Sequence, residues 1–142
     1  MSIIAHNRIA LQARATNKAD AIRQAGELLV KSGCVLPPYV EGMLAREASM
    51  STSLGNGVAI PHGVYENIGH VLQTGLSVLQ LKEPVEWDED DQVSLVIGIA
   101  AAGEEHVDVL ANLAEVIEDE ATLTELLTTT DPEVIIQYLD KG

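Results

Sequence analysis

The chain is poor in cysteine and in aromatic residues, and each shortage excludes a class of protein. Its single cysteine, Cys34, cannot form an internal disulfide, which argues against the disulfide frameworks of small secreted proteins. Phenylalanine is absent and aromatic residues make up 3% of the 142 positions, whereas apolar residues as a whole make up 46%. The core must therefore consist of Ala, Val, Leu and Ile, which is typical of partly parallel strands buried beneath helices.

Positive charge is also scarce. Eight Lys and Arg residues stand against 22 Asp and Glu, and the formal net charge is −14. Such a surface repels nucleic acid and anionic lipid headgroups, so neither is expected as a partner. It favours encounter with a basic or neutral protein surface. A phosphate group would have to be held by local donors, because the sequence contains no basic patch.

Long hydrophobic runs are missing as well. The longest, Val93–Ala102, contains Ser94 and Gly98 and is about half the roughly 20 residues that a membrane-spanning helix needs. The first residues do not pair a basic segment with a sustained apolar one, as a secretory signal does. We therefore expect a cytoplasmic protein without direct membrane insertion.

Helical and strand patterns alternate along the chain, with no internal repeat and no long linker. Asn17 is suited to cap a helix that Gly33 ends, and Pro37-Pro38 favours the start of a second helix that has Arg46 near its C-terminal end. The predicted elements, in order, are a strand over 3–11, helices over 17–32 and from 37, strands over 58–60, 74–81 and 93–101, and helices over 104–117, 119–128 and from 131. This alternation predicts an α/β fold in a single domain over residues 1–142: a small mixed, partly parallel β-sheet flanked by helices as a layered sandwich.

An acidic cluster lies between the last two predicted strands, around Pro84 and Trp87. Its members are Glu83, Glu86, Asp88, Glu89, Asp90 and Asp91. A solvated loop is expected, because acidic clusters of this kind are usually exposed turns. The alternative is a divalent-cation site, but the spacing lacks the glycine and the distal glutamate of a calcium loop. We predict neither a metal nor a cofactor.

The segment Gly55–Gly63 places an imidazole, His62, between two residues that control backbone geometry. Pro61 fixes its own φ near about −65° and pushes Ile60 toward an extended conformation. Gly63 removes the side chain that would crowd a group approaching His62. The preceding apolar residues predict a very short strand, so His62 is expected, exposed, where that strand ends, a common place for chemistry in α/β proteins.

Three functions fit such a histidine: nucleophile toward phosphorus, general base, or metal ligand. A general base for hydrolysis needs a nearby Ser or Cys nucleophile, and the chain contains no Gly-x-Ser-x-Gly elbow. A zinc site needs a second ligand at helical or knuckle spacing, which His70 and His106 do not provide. Attack on phosphorus needs only a lone pair on one ring nitrogen while the other nitrogen keeps its proton, normally by donating to a carbonyl or carboxylate. The unperturbed pKa of an imidazole, about 6.5, already leaves much of it neutral at cytosolic pH.

The run Gly57-Val58-Ala59-Ile60-Pro61-His62-Gly63 resembles the active-site signature of the enzyme IIA domains of the mannitol/fructose class in the bacterial phosphoenolpyruvate-dependent sugar phosphotransferase system. Three other segments are similar to the mannitol branch, and the resemblance extends over nearly the whole chain: Ala21–Gly26, Tyr39–Glu47, and Leu95–Ala101 followed by Glu105-His106. In that family the histidine carries a phosphoryl group.

The resemblance implies that Nε2 of His62 accepts a phosphoryl group from the phosphohistidine of the carrier protein HPr and passes it to a cysteine of the cognate enzyme IIB, a subunit of the IIBC permease. It also implies an arginine and a second histidine near the phosphorylated one, and these match Arg46 and His106. An arginine has donors suited to phosphate oxygens, and the first turn of a helix attracts anions. From the residues alone, the favoured readings are a solvated helix-end arginine for Arg46 and a core or cap histidine for His106, and only the resemblance favours the functional roles.

Two functions of different kinds fit the resemblance. The first is a phosphocarrier for uptake of mannitol or a related sugar, which is a phosphotransferase. The second is a regulatory nitrogen-type IIA protein, which acts by binding other proteins according to its phosphorylation state. A small α/β domain with an incidental histidine is the third reading, and it predicts no labelling by phosphorylated HPr.

Overall fold

The computed structural model describes residues 4–54, 56–63, 69–88, 91–101 and 105–139, except for the side chains of residues 88 and 105–107. After a short 3-10 helix at His6–Arg8, the elements in these ranges are β1 (Ile9–Ala13), α1 (Lys18–Lys31), α2 (Pro38–Ser49), β2 (Val58–Ala59), β3 (Gly75–Asp88), β4 (Asp91–Ala100), α3 (Glu105–Glu118), α4 (Glu120–Thr128) and α5 (Pro132–Leu139). None of these helices is both long and apolar enough to cross a bilayer.

The described strands form a four-stranded sheet in the order β1-β3-β4-β2. β1 runs parallel to β3, β3 runs antiparallel to β4, and β2 runs parallel to β4. The apolar run around Val93–Ala100 is therefore an interior strand. The predicted small mixed, partly parallel sheet is confirmed.

Helices cover both faces of the sheet because the strands are apolar on both sides. On β4, Val96 packs in the cluster that α1 and α2 complete, whereas Leu95 and Ile97 pack in the cluster completed by α3, α4 and α5. This alternation follows from the period of two along a strand. Two helical layers thus enclose the sheet, and the layered α/β sandwich is confirmed.

The helix boundaries follow the end signals in the sequence. The Asn17 side chain accepts the Asp20 amide at 2.8 Å, and α1 starts at the next residue after this cap. Gly33, with φ +82°, lies in the left-handed region just beyond the helix end. α2 starts at Pro38, where a missing N–H costs no helical bond.

The first strand begins later than predicted. The prediction of a strand over 3–11 is wrong at its start, because residues 6–8 form a 3-10 helix and β1 pairs with β3 only from Ile9, opposite Val78. Ile4 is nevertheless buried, with 1% of its surface exposed, among the apolar residues beneath α3 and α5. Its burial explains the apolar N-terminal pattern without a strand.

The acidic segment is a strand through much of its length, so the predicted loop is wrong there. β3 continues to Asp88, and its residues Val85 and Trp87 are buried at 6% and 4% exposure, while Glu86 is exposed. Alternate residues of a strand point to opposite faces, so acidic and buried apolar residues share the same strand. In the sequence, the charged residues on the solvent side of this strand made the segment resemble a loop. Residues 89 and 90 lie outside the described ranges.

Candidate active site

His62 lies just beyond the end of β2, beside the end of β4. The pairing of Val58 with Leu95 and of Ala59 with Val96 continues in register to a bridge between His62 and Ile99. The Ile99 amide donates to the Pro61 carbonyl at 3.0 Å. His62 therefore lies where β2 ends, as the sequence predicts, and the structure adds that it extends the parallel pairing with β4.

The His62 ring is oriented by its own backbone. Nδ1 lies 2.8 Å from the Ile60 carbonyl oxygen. A carbonyl can only accept a hydrogen bond, so this contact assigns a proton to Nδ1. In the neutral ring the lone pair is then on Nε2, which is the nitrogen that can attack an electrophile.

His62 is more buried than the sequence predicts. Only 8% of the residue is exposed, so the expectation of an exposed imidazole is wrong. The bridge to Ile99 draws the residue against the sheet instead of leaving it at a loop tip. Little of the residue is therefore open to solvent, so few water molecules can compete with a reacting group there.

A hydrogen-bond network supports the carbonyl that holds the ring. The Ile60 amide donates to the Thr52 carbonyl at 3.1 Å, and Leu54 donates to Val58 at 2.8 Å, so residues 52–54 pair with β2 and its extension. Thr52 is fixed in turn by the buried carboxylate of Glu47, to which it donates from its amide at 3.1 Å and from its hydroxyl at 2.5 Å. Glu47 also accepts the Trp87 indole N–H at 3.2 Å.

Tyr39 binds the backbone on the other side of His62. Its hydroxyl lies 2.7 Å from the Ile99 carbonyl and 2.9 Å from the Gly63 amide nitrogen. Only 3% of Tyr39 is exposed. Burial raises the pKa of this hydroxyl, and the bond from Gly63 offsets part of that rise. The sequence indicated Tyr39 only as the first residue of the family-like segment Tyr39–Glu47; the signal it offered was that a buried tyrosine hydroxyl normally has a partner.

Arg46 lies in the last turn of α2, as predicted, and is partly exposed. Its Nη1 donates to the Met50 carbonyl at 2.6 Å, which caps the C-terminal end of its own helix. The described bond of Arg46 is therefore within its helix end rather than to His62. Its other guanidinium donors are those that a phosphate could use.

His106 is the second residue of α3, and its side chain lies outside the described residues. Its backbone position nevertheless follows from the topology. β2 and β4 are parallel and end at the same edge of the sheet, and the chain enters α3 soon after β4 ends at Ala100. The start of α3 is thus connected to the edge where His62 lies.

His6 takes no part in this arrangement. It is exposed and pairs with Glu133 at 2.5 Å, between the 3-10 helix at His6–Arg8 and α5. Among the residues that the structure describes, no group of three or more His, Cys, Asp and Glu side chains is arranged to hold a metal ion. The chemistry available at His62 is that of an imidazole and its neighbouring donors.

The chain matches one family model over residues 2–142. Its description is the phosphoenolpyruvate-dependent sugar phosphotransferase system, EIIA 2.

Two relatives differ greatly in length. The chain is 47% identical over 131 residues to the multiphosphoryl transfer protein of Xanthomonas campestris pv. campestris, an alignment that covers 92% of this chain but only 16% of that protein. It is 41% identical over 138 residues to the mannitol-specific phosphotransferase enzyme IIA component of Halalkalibacterium halodurans, with 97% of this chain and 94% of that protein covered.

The fold has a close counterpart among solved structures. In the complex of the mannitol enzyme IIA and phosphorylated enzyme IIB from Escherichia coli, the matching chain is 41% identical and superposes with a TM-score of 0.89. The match covers 95% of each chain.

Proposed function

Since this chain belongs to the EIIA 2 family of the phosphoenolpyruvate-dependent sugar phosphotransferase system, we propose that it is a phosphocarrier for uptake of mannitol or a related sugar. Nε2 of His62 accepts a phosphoryl group from phosphorylated HPr and passes it to a cysteine of a cognate enzyme IIB, the subunit of an IIBC permease. Members of this family are phosphotransferase components of the sugar transport system. The identities of the phosphoryl donor, the acceptor and the sugar are the parts that we propose.

The observation that carries the proposal is the bond from Nδ1 of His62 to the Ile60 carbonyl, at 2.8 Å. It keeps the proton on one ring nitrogen and the lone pair on the other. In the transfer, the Nε2–phosphorus bond forms as the nitrogen–phosphorus bond of the donor breaks, and the charge stays on the phosphoryl oxygens. Such a step depends mainly on positioning and on donors aimed at those oxygens.

Arg46 and His106 are proposed to supply these donors. Arg46 has guanidinium donors beyond the one that caps α2, and it lies on the helix that also carries Tyr39. His106 lies in the first turn of α3, where unpaired amides favour an anion. Because β2 and β4 are parallel and α3 follows β4 along the chain, the first turn of α3 is proposed to lie near His62.

The proposed partners are proteins that bring a phosphohistidine or a thiolate to His62. The relative in the Escherichia coli complex is bound to a phosphorylated IIB, which supports delivery to such a subunit. The net charge of −14 favours a basic or neutral docking surface such as HPr would have to present. The mannitol-specific name of a relative matched over nearly its full length supports the sugar. The same proposal includes a cytoplasmic location for the protein and a single domain over residues 1–142.

The test is labelling by the purified general components. With phosphoenolpyruvate, enzyme I and HPr, the wild-type protein is expected to take up acid-labile phosphate, and His62→Ala is expected to take up none. The controls His6→Ala and His70→Ala keep the rest of the histidines and are expected to label as the wild type does. Label retained by His62→Ala would refute the site.

Delivery separates transport from regulation. When membranes containing the cognate IIBC permease and mannitol are added, the labelled protein is expected to lose its phosphate as mannitol phosphate forms. A purely regulatory IIA protein would be labelled but would not deliver. That outcome would replace the transport function by the regulatory one.

A further inference from the structure

The Tyr39 hydroxyl connects three parts of the fold beside His62. It lies on α2, it donates to the Ile99 carbonyl of β4, and it accepts the amide of Gly63, the residue that follows His62. The direction of these bonds is fixed, because a carbonyl only accepts and an amide N–H only donates. The single hydroxyl proton therefore points to Ile99, and an oxygen lone pair receives Gly63.

The two bonds complete a closed loop around His62. Before the histidine, the Pro61 carbonyl accepts the Ile99 amide at 3.0 Å. After it, Gly63 is bound to Tyr39, whose hydroxyl is bound to the carbonyl of the same Ile99. The backbone of residues 61–63 is thereby attached to one residue of β4 on both sides of the imidazole.

The described residues that surround the Tyr39 ring form an apolar cluster, which a ring without the hydroxyl would also fit. Tyr39 lies in the apolar cluster with Met43 of α2 and Ile22 of α1, where a phenylalanine would fill nearly the same volume. The hydroxyl is instead the one polar group of that side chain, and it is directed at the backbone beside the reactive residue. Burial raises its pKa, so it remains a donor at neutral pH.

We propose that Tyr39 is a positioning residue for phosphoryl transfer: its hydroxyl holds the backbone after His62 so that Nε2 faces the incoming phosphorus. The inference rests on the proposed phosphocarrier function. The Ile60 carbonyl sets the rotation of the ring, and Tyr39 sets the place of the backbone that carries it. A displacement of about 1 Å in such an arrangement can cost about 100-fold in rate.

The experiment compares Tyr39→Phe with the matched control Tyr138→Phe. The Tyr138 hydroxyl donates to Glu125 at 2.9 Å on the surface formed by α4 and α5, so its loss removes a tyrosine hydroxyl bond without touching residues 61–63. Both variants and the wild type are assayed for transfer from phosphorylated HPr under conditions where circular dichroism shows them folded. The nitrogen-15 signals of the His62 ring are recorded in parallel.

Tyr39→Phe is expected to lower kcat by about 10- to 100-fold while the KM for phosphorylated HPr changes less than about twofold. The His62 ring signals are expected to shift toward a mixture of tautomers or orientations, and those of Tyr138→Phe are expected to match the wild type. A hydroxyl that only stabilised the fold would leave kcat and these signals of the folded protein unchanged. A folded Tyr39→Phe with kcat within about twofold of the wild type would therefore overturn the inference.

A second variant covers the case in which Tyr39→Phe does not fold. Incorporation of 3-fluorotyrosine at position 39 keeps both bonds but weakens the oxygen as an acceptor for Gly63. A smaller fall in kcat is then expected, with the Gly63 amide signal shifted, and an unchanged kcat with a shifted amide signal would overturn the inference. Failure of the wild-type protein to accept phosphate would refute the phosphocarrier function instead, so the two failures are distinguishable.

Discussion

Replacing Glu47 by Ala tests whether the carboxylate beneath the active-site strand stabilises the domain. Only 5% of Glu47 is exposed, and its oxygens accept the Thr52 amide, the Thr52 hydroxyl and the Trp87 indole N–H. Lys18 lies 3.7 Å away with about a third of its side chain exposed. Removal of the carboxylate leaves the buried donors of Thr52 and Trp87 without an acceptor.

The expected loss follows from these contacts. A hydrogen bond to a charged group contributes about 1.5–3 kcal/mol, and removal of one member of a buried charged arrangement costs about 3–5 kcal/mol. The contact with Lys18 adds little beyond this, because the atoms are 3.7 Å apart and the Lys18 side chain is about a third exposed, so solvent screens its charge. We therefore expect Glu47→Ala to lower the free energy of unfolding by about 3–5 kcal/mol. For a domain of this size, that lowers Tm by about 10–15 °C.

The assay is urea unfolding followed by far-ultraviolet circular dichroism. The fluorescence of Trp87, the one tryptophan in the sequence, reports separately on the lost indole bond. The matched control is Glu41→Ala on the same helix, where the carboxylate lies 3.4 Å from Arg23 and 71% of its side chain is exposed. The control is expected to change the free energy of unfolding by no more than about 0.5 kcal/mol. Glu47→Gln, which keeps one carbonyl oxygen as an acceptor, is expected to lie between the two.

The reasoning would be refuted if Glu47→Ala lost less than about 1 kcal/mol, or if Glu41→Ala lost as much. The connection to the site is tested on the same protein. The Thr52 carbonyl accepts the Ile60 amide N–H, and the Ile60 carbonyl accepts the bond from Nδ1 of His62. Loosening of Thr52 is therefore expected to speed hydrogen exchange at the Ile60 amide. Unchanged exchange at Ile60 would show that Glu47 stabilises α2 and β3 without supporting the histidine.

Two further results are expected. His106→Ala is expected to leave His62 able to accept phosphate but to slow transfer by about 10- to 1000-fold in rapid-quench measurements, as for the loss of one preorganised donor; an unchanged rate would assign His106 to the core. Alkaline titration is expected to weaken the fold through Tyr39, since burial raises the pKa of its hydroxyl above the usual value of 10.0. Above about pH 10 the unfolded chain loses that proton while the folded protein keeps it, so the free energy of unfolding falls with rising pH until the folded pKa is passed. Urea unfolding at pH 8 and pH 11 measures this change in the free energy of unfolding. If the free energy fell as steeply in Tyr39→Phe as in the wild type, the pH dependence would belong to groups other than Tyr39.

The helices of this protein were largely predictable because their end signals are local. The Asn17 cap and Pro38 each act on backbone groups a few residues away, and the observed starts of α1 and α2 lie at those signals. The interior position of β4 was predictable for a related reason, since a continuous apolar run needs cover on both faces. β3 was not predictable over its full length, because the exposed charges next to Val85 and Trp87 suggested a loop until the partner strand was known.

The site residues also divide into those that local sequence patterns indicate and those that depend on distant contacts. His62 was found from its immediate neighbours, and the role of Pro61 and the end of β2 were part of that local pattern. Arg46 and His106 carried no decisive local signal and were indicated by the resemblance to a family. Tyr39 was missed, because its partners Gly63 and Ile99 are 24 and 60 residues away.

The sequence by itself determined the alternation of helices and strands, the family, and the histidine at the end of a short strand, because each depends on interactions between residues close along the chain. Only the tertiary structure decided how deeply His62 is buried, which of its nitrogens keeps the proton, and which distant side chains hold its backbone. Those properties depend on the register between β2 and β4 and on the packing of α2 against the sheet. The free energy that fixes them comes from contacts between segments far apart in the chain, which no local pattern records.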